Sequence, residues 1–403
     1  MTLKLRSLKP ISKNSLKIIE LLAGSGAKVR FVGGIVRDYL LSIPTKDIDI
    51  ATDFTPTQVI ETLGKHKVKV IPTGIRFGTV TAIIKDEYFE ITTLRRDTKC
   101  DGRHAHVEFS NDFKEDAARR DFSINALSYC PLEDKIFDYF GGLDDLNNRK
   151  VIFIGNADER IEEDYLRILR FFRFSCKYAK EIDEVGLAAC IKYKDNIKLL
   201  SGERIRQEMD KLLLQEGSPH TLDIMDEVGI LQIIFPNIIS NTKYNQKLHF
   251  KLIEVARILN LNLPKEVIYA TFLKFSLQEL LDLKFSKVSA MKIINLSSIR
   301  QSINEESLVT TLKTIWLQEK SFVDYFVLAA ALFQDNKFIF DLFDKLKDNV
   351  PPIFPLNSGQ LIELGYRGEK LGNLIKILKS KWIESDFTLN NEALMNLIKN
   401  SKL

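Results

Sequence analysis

FVGGIVRDYLLSIPTKDIDIATDF, residues 31–54, holds the two features that decide the fold: a strand running into Gly33 and Gly34 at the start of a helix, then an alternating Asp-Ile-Asp-Ile run. In DIDI the two-residue period of a strand sends Ile48 and Ile50 to the core and Asp47 and Asp49 together to the other face. Paired carboxylates repel. A cation between them removes the conflict, and hard oxygen ligands beside phosphates favour Mg²⁺; the plainer alternative is a half-exposed strand with a polar outer face. Upstream, two glycines at a helix start let backbone N–H groups approach an anion, and the helix dipole favours negative charge there. The helical period puts Ile35, Val36, Tyr39 and Leu40 on one face and leaves Arg37 and Asp38 on another, with Arg37 able to reach the same anion. A Gly-Gly pair can also be only a tight turn. Taken together, an anion cradle and a metal platform are the two parts that nucleotidyl transfer requires.

Outward from this stretch, residues 14–150 alternate short β-rich and helical runs: SLKIIELLA, KVRFVGG, IVRDYLLS, DIDIAT, PTQVIETLG, then HKVKVIPT, TVTAIIK and YFEITTLRR as strands. Beyond about residue 157 the strand signals fade and helical patterns continue to the end. The class expected is α+β, a mixed sheet with helices followed by an all-α array. A third carboxylate is expected from a neighbouring strand, and Glu90 in YFEITTL is the candidate, unless it is a solvent-facing residue of an edge strand. At 403 residues and 45% hydrophobic content the chain suits two to four globular domains, and a formal charge of +4 permits an anionic partner without demanding one. Cys100, Cys130, Cys176 and Cys190 show no CxxC pairing, which argues for free thiols in a reducing compartment and against a zinc site. No signal-peptide pattern and no apolar run of bilayer length is evident, so a cytoplasmic location and no membrane contact are expected.

GGIVRDYLL, DIDIAT, RRDFSINAL, EEDYLRILRFFRF and ERIRQEMDKLL, in that order, resemble the motifs of the class II tRNA nucleotidyltransferases, the CCA-adding enzymes, and of their relatives the bacterial poly(A) polymerases. The resemblance covers roughly residues 28–215. It implies a polymerase-beta-like palm in a head over residues 1–150, a helical neck for base recognition over 151–215, a helical body over 216–335 and a tRNA-binding helical tail over 336–403. By position, Asp47 and Asp49 match the metal-binding carboxylates, with Glu90 beside them as the third catalytic candidate, and Gly33, Gly34 and Arg37 match the triphosphate segment. Arg119, Arg120, Asp121 and Asn125 match the segment that meets ribose and phosphates, where a 2′-hydroxyl both donates and accepts a hydrogen bond. Without such companions, RRD before an apolar run would be a surface helix start capped by Asp121.

Asp164 and Arg167, three apart in EEDYLRIL, are expected on one face of a helix. In the family such a pair is an amino-acid template: the carboxylate accepts from the exocyclic amine of cytosine or adenine while the guanidinium donates to ring acceptors, and guanine and uracil present a carbonyl instead. A surface ion pair is the alternative. Arg170 and Arg173 continue the spacing, as contacts to triphosphate or RNA or as solvated arginines. The chemistry implied follows two-metal logic, one ion activating the RNA 3′-hydroxyl and the other steadying pyrophosphate. A flexible loop is expected in RRDTKCDGRHAHVEFSNDF, hinged at Gly102 with Asp101, Arg103 and His104 around it, which favours full CCA addition over CC-only or A-only addition; His104 and His106 are expected to face solvent. The apolar PTGIRFGTV run and the mixed-charge C-terminus lower the poly(A) polymerase alternative, and retention of both carboxylates and the Asp-Arg pair argues against a non-catalytic RNA-binding protein. Partners implied are the tRNA 3′ acceptor end, CTP and ATP, with lysine-rich helices such as NTKYNQKLHFKL and QELLDLKFSKVSAMK meeting the tRNA backbone. No feature points to an obligate protein partner.

Overall fold

The strand that opens the deciding stretch is β1 (Val29–Val32), which passes at Gly33 into helix α2 (Gly34–Leu40), and the Asp-Ile run enters β2 (Asp49–Thr52). The computed structural model describes residues 12–45, 47–100, 105–236, 246–272, 275–302, 305–318, 322–332 and 337–400. Before β1 lies α1 (Lys13–Gly24), and after β2 come α3 (Pro56–Lys65), β3 (Lys69–Gly74), β4 (Thr79–Ile84) and β5 (Glu87–Thr93). α1 and α3 each begin with a capping box, on Ser12 and Thr55, so hydroxyls satisfy the free N–H groups of their first turns. With β8 (Ser128–Cys130) and β9 (Lys135–Phe137) the strands form one mixed sheet in the order β3-β4-β5-β2-β1-β8-β9. β2 and β5 run parallel; the other neighbours in this sheet are antiparallel.

Side chains alternate across the sheet as the two-residue period requires. Phe31, Ile50, Val80, Phe89 and Ile91 are buried on one side, where α1 and α3 contribute Ile18, Ile19, Leu22, Val59 and Leu63. On the other side α4 (Phe113–Ala118) brings Phe113 onto Val32, Ala51 and Leu94. Over β5, β4 and β3 that second side carries exposed or half-buried side chains among the described residues, which leaves an open face beside the Asp-Ile strand.

The interval expected as a flexible loop is in part a two-stranded ribbon: β6 (Arg95–Cys100) pairs antiparallel with β7 (Ala105–Phe109). Polar composition hid the alternation. Asp101, Gly102, Arg103 and His104, the hinge expected there, lie outside the described residues. Phe109 at the foot of the ribbon packs on Gly78, whose φ of 78° suits glycine and where a Cβ would stand 2.9 Å from the ring.

After α5 (Gly142–Asn147) the chain turns helical: α6 (Ala157–Glu163), α7 (Leu166–Tyr178), α8 (Glu184–Tyr193), α9 (Gly202–Leu213), α10 (Ser218–Glu227) and α11 (Ile230–Ile234). α7 buries Ile168, Leu169, Phe171, Phe172 and Phe174, the apolar stripe of LRILRFFRF. Phe122 of the RRDF motif inserts among these rings, 4.9 Å from Phe153 and 5.3 Å from Phe174 between centroids. This continuous core explains why the chain divides into two compact units, Met1–Ile234 and Phe235–Leu403, with the expected head and neck together in the first. The finer division into four remains an expectation.

The regular elements among the described residues of the second unit are all helices. Its helix Phe322–Leu332, apolar on nearly every side, buries Phe326, Leu328, Ala329 and Ala330. A separate apolar cluster gathers Leu361, Leu374, Leu378, Trp382 and Leu394 from the last three helices, Ser358–Glu363, Gly368–Glu384 and Asn391–Asn400. Among the described residues no helix is long and apolar enough to cross a membrane.

One close approach is testable. A Cβ on Gly142 would stand 2.3 Å from the Ser123 carbonyl oxygen, a backbone atom just after Asp121 and Phe122. Gly142→Ala should cost about 1–3 kcal/mol by overpacking, seen as a lowered midpoint in thermal unfolding followed by circular dichroism, whereas Gly141→Ala, with open space around it but a φ of 73°, should cost about 1 kcal/mol through the backbone alone.

Candidate active site

Asp49 opens β2, flanked in the sheet by β1 and by β5, and the parallel register sets it opposite Glu90. Because β5 is an interior strand, the exposure of Glu90 cannot come from an edge; it faces the open side of the sheet. Asp47 sits just ahead of the strand, exposed, while Ile48 is half-buried and Ile50 fully buried. The alternation anticipated for DIDI appears within β2, where Ile50 is buried and Asp49 opens on the cleft, but Ile48, ahead of the strand, is half-buried and lines the same cleft as the two aspartates. An open cleft of about 680 Å³ is lined by Asp47, Asp49, Glu90, Thr81, Tyr88 and Ser12, among others.

Burial, then the Glu90 carboxylate, then Asp47, push the Asp49 carboxyl above its usual range, and Arg120 works in the opposite direction. Among the described residues no three His, Cys, Asp or Glu side chains close into a ready metal cage. What the chain offers is an open set of hard oxygen donors whose mutual repulsion a divalent cation would relieve, so the residues fit Mg²⁺ as donors, with Asp47 and Asp49 as the natural holders.

Arg120 is the cation that acts on Asp49, pulling its carboxyl down against burial and Glu90. Its placement follows from glycine: Gly33 has φ of 72°, and a Cβ there would stand 2.5 Å from Arg120 Nη1. The guanidinium lies over the bare backbone, donating to the Asn125 carbonyl at 3.3 Å and to Asp116 at 3.2 Å. Asp116, nearly fully buried on α4, also holds Arg119 through Nε at 2.9 Å. Its carboxyl feels burial upward, but the two arginines outweigh that and hold it below the usual carboxylate range. Asp116 was not singled out in the sequence, although its i,i+3 and i,i+4 spacing to Arg119 and Arg120 is a legible signal.

Arg37 and Asp38 require a correction. Placed by periodicity on a face apart from the core, both are buried, while Tyr39 and Leu40 are half-exposed. Arg37 donates through Nε to Asp38 at 2.8 Å and through Nη1 to the Asn125 side-chain oxygen, and its guanidinium lies 4.2 Å from the centre of the Tyr178 ring. Tyr178 in turn donates to Asp38 at 2.6 Å. A short helix pinned against α7 buries the side that its neighbours cover, whatever its polarity, and the ion pair makes that burial tolerable. Arg37 thus orients Asn125 and α2 in this structure, and its guanidinium also lies beside the turn, with Nη2 3.4 Å from where a Cβ on Gly34 would stand.

Asp121 is no surface cap either. Fully enclosed, it accepts from the Phe122 amide at 2.9 Å, from Asn125 Nδ2 at 2.9 Å and from Arg170 Nε at 2.7 Å. Burial alone would raise its carboxyl, yet Arg170 and these donors hold it below its usual range. Arg170 and Arg173 are half-buried and paired, since Glu208 of α9 meets both.

Asp164 and Arg167 also depart from expectation, because they do not share one helix. Asp164 is extended, with φ of −157°, in the break between α6 and α7, and its Oδ1 accepts from the Leu166 amide at 3.1 Å. Its Oδ2 meets Arg204 of α9 at 2.7 Å. Arg167 donates to Glu163 at 2.6 Å and to the carbonyls of Arg160 at 2.8 Å and Arg119 at 3.0 Å. Glu163, Arg204 and Glu208 were not recognised as positioning residues, though all three lie inside the quoted motifs EEDYLRIL and ERIRQEMDKLL. Of the residues expected from sequence, the structure gathers Asp47, Asp49 and Glu90 at the cleft with Gly33 and Arg120 beside them. Arg37, Arg119, Asp121, Asn125, Arg167 and Arg170 form the supporting lattice that joins sheet to helices.

The lowered Asp121 carboxyl makes stability pH-dependent. A carboxyl whose folded pKa is depressed contributes stability above its unfolded pKa, about 3.9, and that contribution disappears as pH falls through the folded value. Asp121→Asn should therefore unfold more readily than the wild type at pH 7, with the gap narrowing below about pH 4 in urea titrations.

Comparison with known proteins agrees with this geometry. Residues 29–152 match the model of the poly A polymerase head domain, and residues 181–241 match that of the probable RNA and SrmB binding site of polymerase A. The chain is 32% identical to the mitochondrial CCA tRNA nucleotidyltransferase 1 of Danio rerio over 95% of its length and 90% of the relative's. It is 33% identical to the CCA-adding enzyme of Staphylococcus epidermidis over 67% of this chain and 66% of that one. In fold it superposes on the Bacillus stearothermophilus CCA-adding enzyme solved with CTP with a TM-score of 0.74, at 23% identity, over 97% of this chain and 98% of the other. With its sheet, its acidic cleft and its full-length similarity all pointing one way, the chain belongs to the family of CCA-adding tRNA nucleotidyltransferases.

Proposed function

We propose that this protein adds or repairs the 3′-terminal CCA of tRNA, using CTP and ATP and releasing pyrophosphate. The observation that carries this is the juxtaposition of Asp49 with Glu90 across two parallel strands, with Arg120 held over Gly33 beside them. Relatives named for this reaction, similar over nearly the whole chain, support it.

Each part of the site then has a task. Asp47 and Asp49 hold divalent metal, Mg²⁺ being the ion their oxygens suit, and when bound it supplies Lewis-acid stabilisation of the phosphoryl charge. Arg120 and the turn at Gly33 and Gly34 receive the triphosphate, an anion beside a fixed guanidinium and unhindered backbone. Glu90, on the far side of Asp49 from Gly33 in the sheet, accepts the proton of the attacking 3′-hydroxyl in this reading. Asp164 offers carboxylate oxygen to an exocyclic amine, with Arg167 as donor beside it. Their partners Arg204 and Glu163 fix the directions of both groups before a base arrives. A base carrying a carbonyl in place of the amine would leave acceptors facing each other, which is costly in a desolvated site. The free thiols of Cys130, Cys176 and Cys190 suit a reducing compartment such as the cytoplasm.

Incubation of tRNA lacking its 3′ end with labelled CTP, ATP and Mg²⁺ should yield a short defined tail. A long ladder would make the protein a poly(A) polymerase, and no extension would make it a binder. In the same assay Asp49→Ala should reduce turnover by at least about a thousandfold, and unchanged turnover would refute the metal assignment. Asp164→Ala and Arg167→Ala should raise UTP incorporation relative to CTP by about tenfold or more, measured as the ratio of kcat/KM values.

A further inference from the structure

On β5 the side chains of Phe89 and Ile91 are buried, while Tyr88 and Glu90 lie on the open face. Tyr88 is 65% exposed, next to the β4–β5 turn and ahead of the point where β2 joins β5 at Glu90. It stands two residues from Glu90, roughly 7 Å along the strand, and lines the same cleft as Asp47 and Asp49. Across the ladder, Ile83 of β4 is opposite Tyr88 and Thr81 is opposite Glu90. A large flat ring beside an acidic centre, exposed among the described residues, adds little to the core and invites another explanation.

Displacement at phosphorus supplies one. The attacking and leaving oxygens stand roughly in line. Arg120 over Gly33 marks the triphosphate side of Asp49, next to β1, so the attacking hydroxyl approaches from the β5 side, where Glu90 lies. The nucleotide that carries this hydroxyl must then rest over β5 and β4. Asp86 and Glu87 line that end of the cleft and repel phosphate, whereas a neutral base can settle on an aromatic ring. Stacking of this kind is tolerant of sequence, because every base has a π-face. We infer that Tyr88 is the stacking platform for the terminal base of the RNA primer, a positioning residue that holds the 3′-hydroxyl toward Glu90. A platform indifferent to base identity suits a primer whose last base changes after each addition. This rests on the proposed nucleotidyltransferase function.

The test is steady-state kinetics of Tyr88→Ala and Tyr88→Phe with truncated tRNA and CTP varied in turn. For Tyr88→Ala the KM for primer should rise about five- to a hundredfold, the KM for CTP should stay within about twofold, and Tyr88→Phe, which keeps the ring, should behave as wild type. A primer with an abasic 3′-terminal nucleotide should penalise the wild type and add no further penalty to Tyr88→Ala. Primer KM unmoved by Tyr88→Ala would overturn the platform, as would an equal rise in both KM values, which would assign the ring to the incoming nucleotide. If the wild type extended no primer at all, the functional reading itself would fall; a working wild type with an indifferent Tyr88→Ala removes only the platform.

Discussion

The enclosed carboxylate of Asp121 is the constraint on which the rest of the first unit depends. It takes hydrogen bonds from Arg170 on α7, from Asn125 and from the Phe122 amide, and so ties the sheet-bearing residues to the helices that follow. A buried carboxylate is costly unless its lone pairs are filled, and breaking such a set leaves an uncompensated charge. Glu208 repeats the arrangement from α9, pairing with Arg170 and Arg173. Around these polar ties, Phe122, Phe153, Phe171 and Phe174 form one aromatic core. The polar ties give direction and the rings give cohesion. Together they make the sheet and the first helices a single body, as the proposed sharing of the reaction between carboxylates on strands and a base-selecting pair beside α7 would require.

Under the proposed function, the same lattice would let selection be built without a nucleic-acid template. Asp164 and Arg167 each have a fixed partner, Arg204 and Glu163, before any base is present. Hydrogen-bonding groups whose rotamers are already set lose little freedom on binding, and discrimination by unpaired acceptors works only if those acceptors cannot turn away. The break between α6 and α7 is part of this. An extended residue at Asp164 lets one carboxylate oxygen hold the first turn of α7 while the other stays directed outward, toward Arg204.

Electrostatics at the cleft run in the opposite sense from those in the lattice. Asp116 and Asp121 are surrounded by arginines and held below their usual range, whereas Asp49 is raised by its burial, by Glu90 and by Asp47. Carboxylates that only support the fold are neutralised by the chain itself. Those at the cleft are left partly unbalanced, a repulsion that a divalent cation would relieve.

Much of this was legible in the residues. The alternation of DIDI, the glycine pair after a strand, the apolar stripe of LRILRFFRF and the order of five motifs determined the fold class, the family and the acidic centre, because a strand's period of two and a helix's period of 3.6 are local properties of the chain. Tertiary structure alone decided that Glu90 lies across from Asp49, that Arg37 and Asp38 are buried, that Asp164 sits in a helix break and that Tyr88 is bare. Strand order, burial and ion pairing depend on which distant segments meet, and no local period carries that information: the side of α2 that faces α7 is buried whatever residues occupy it.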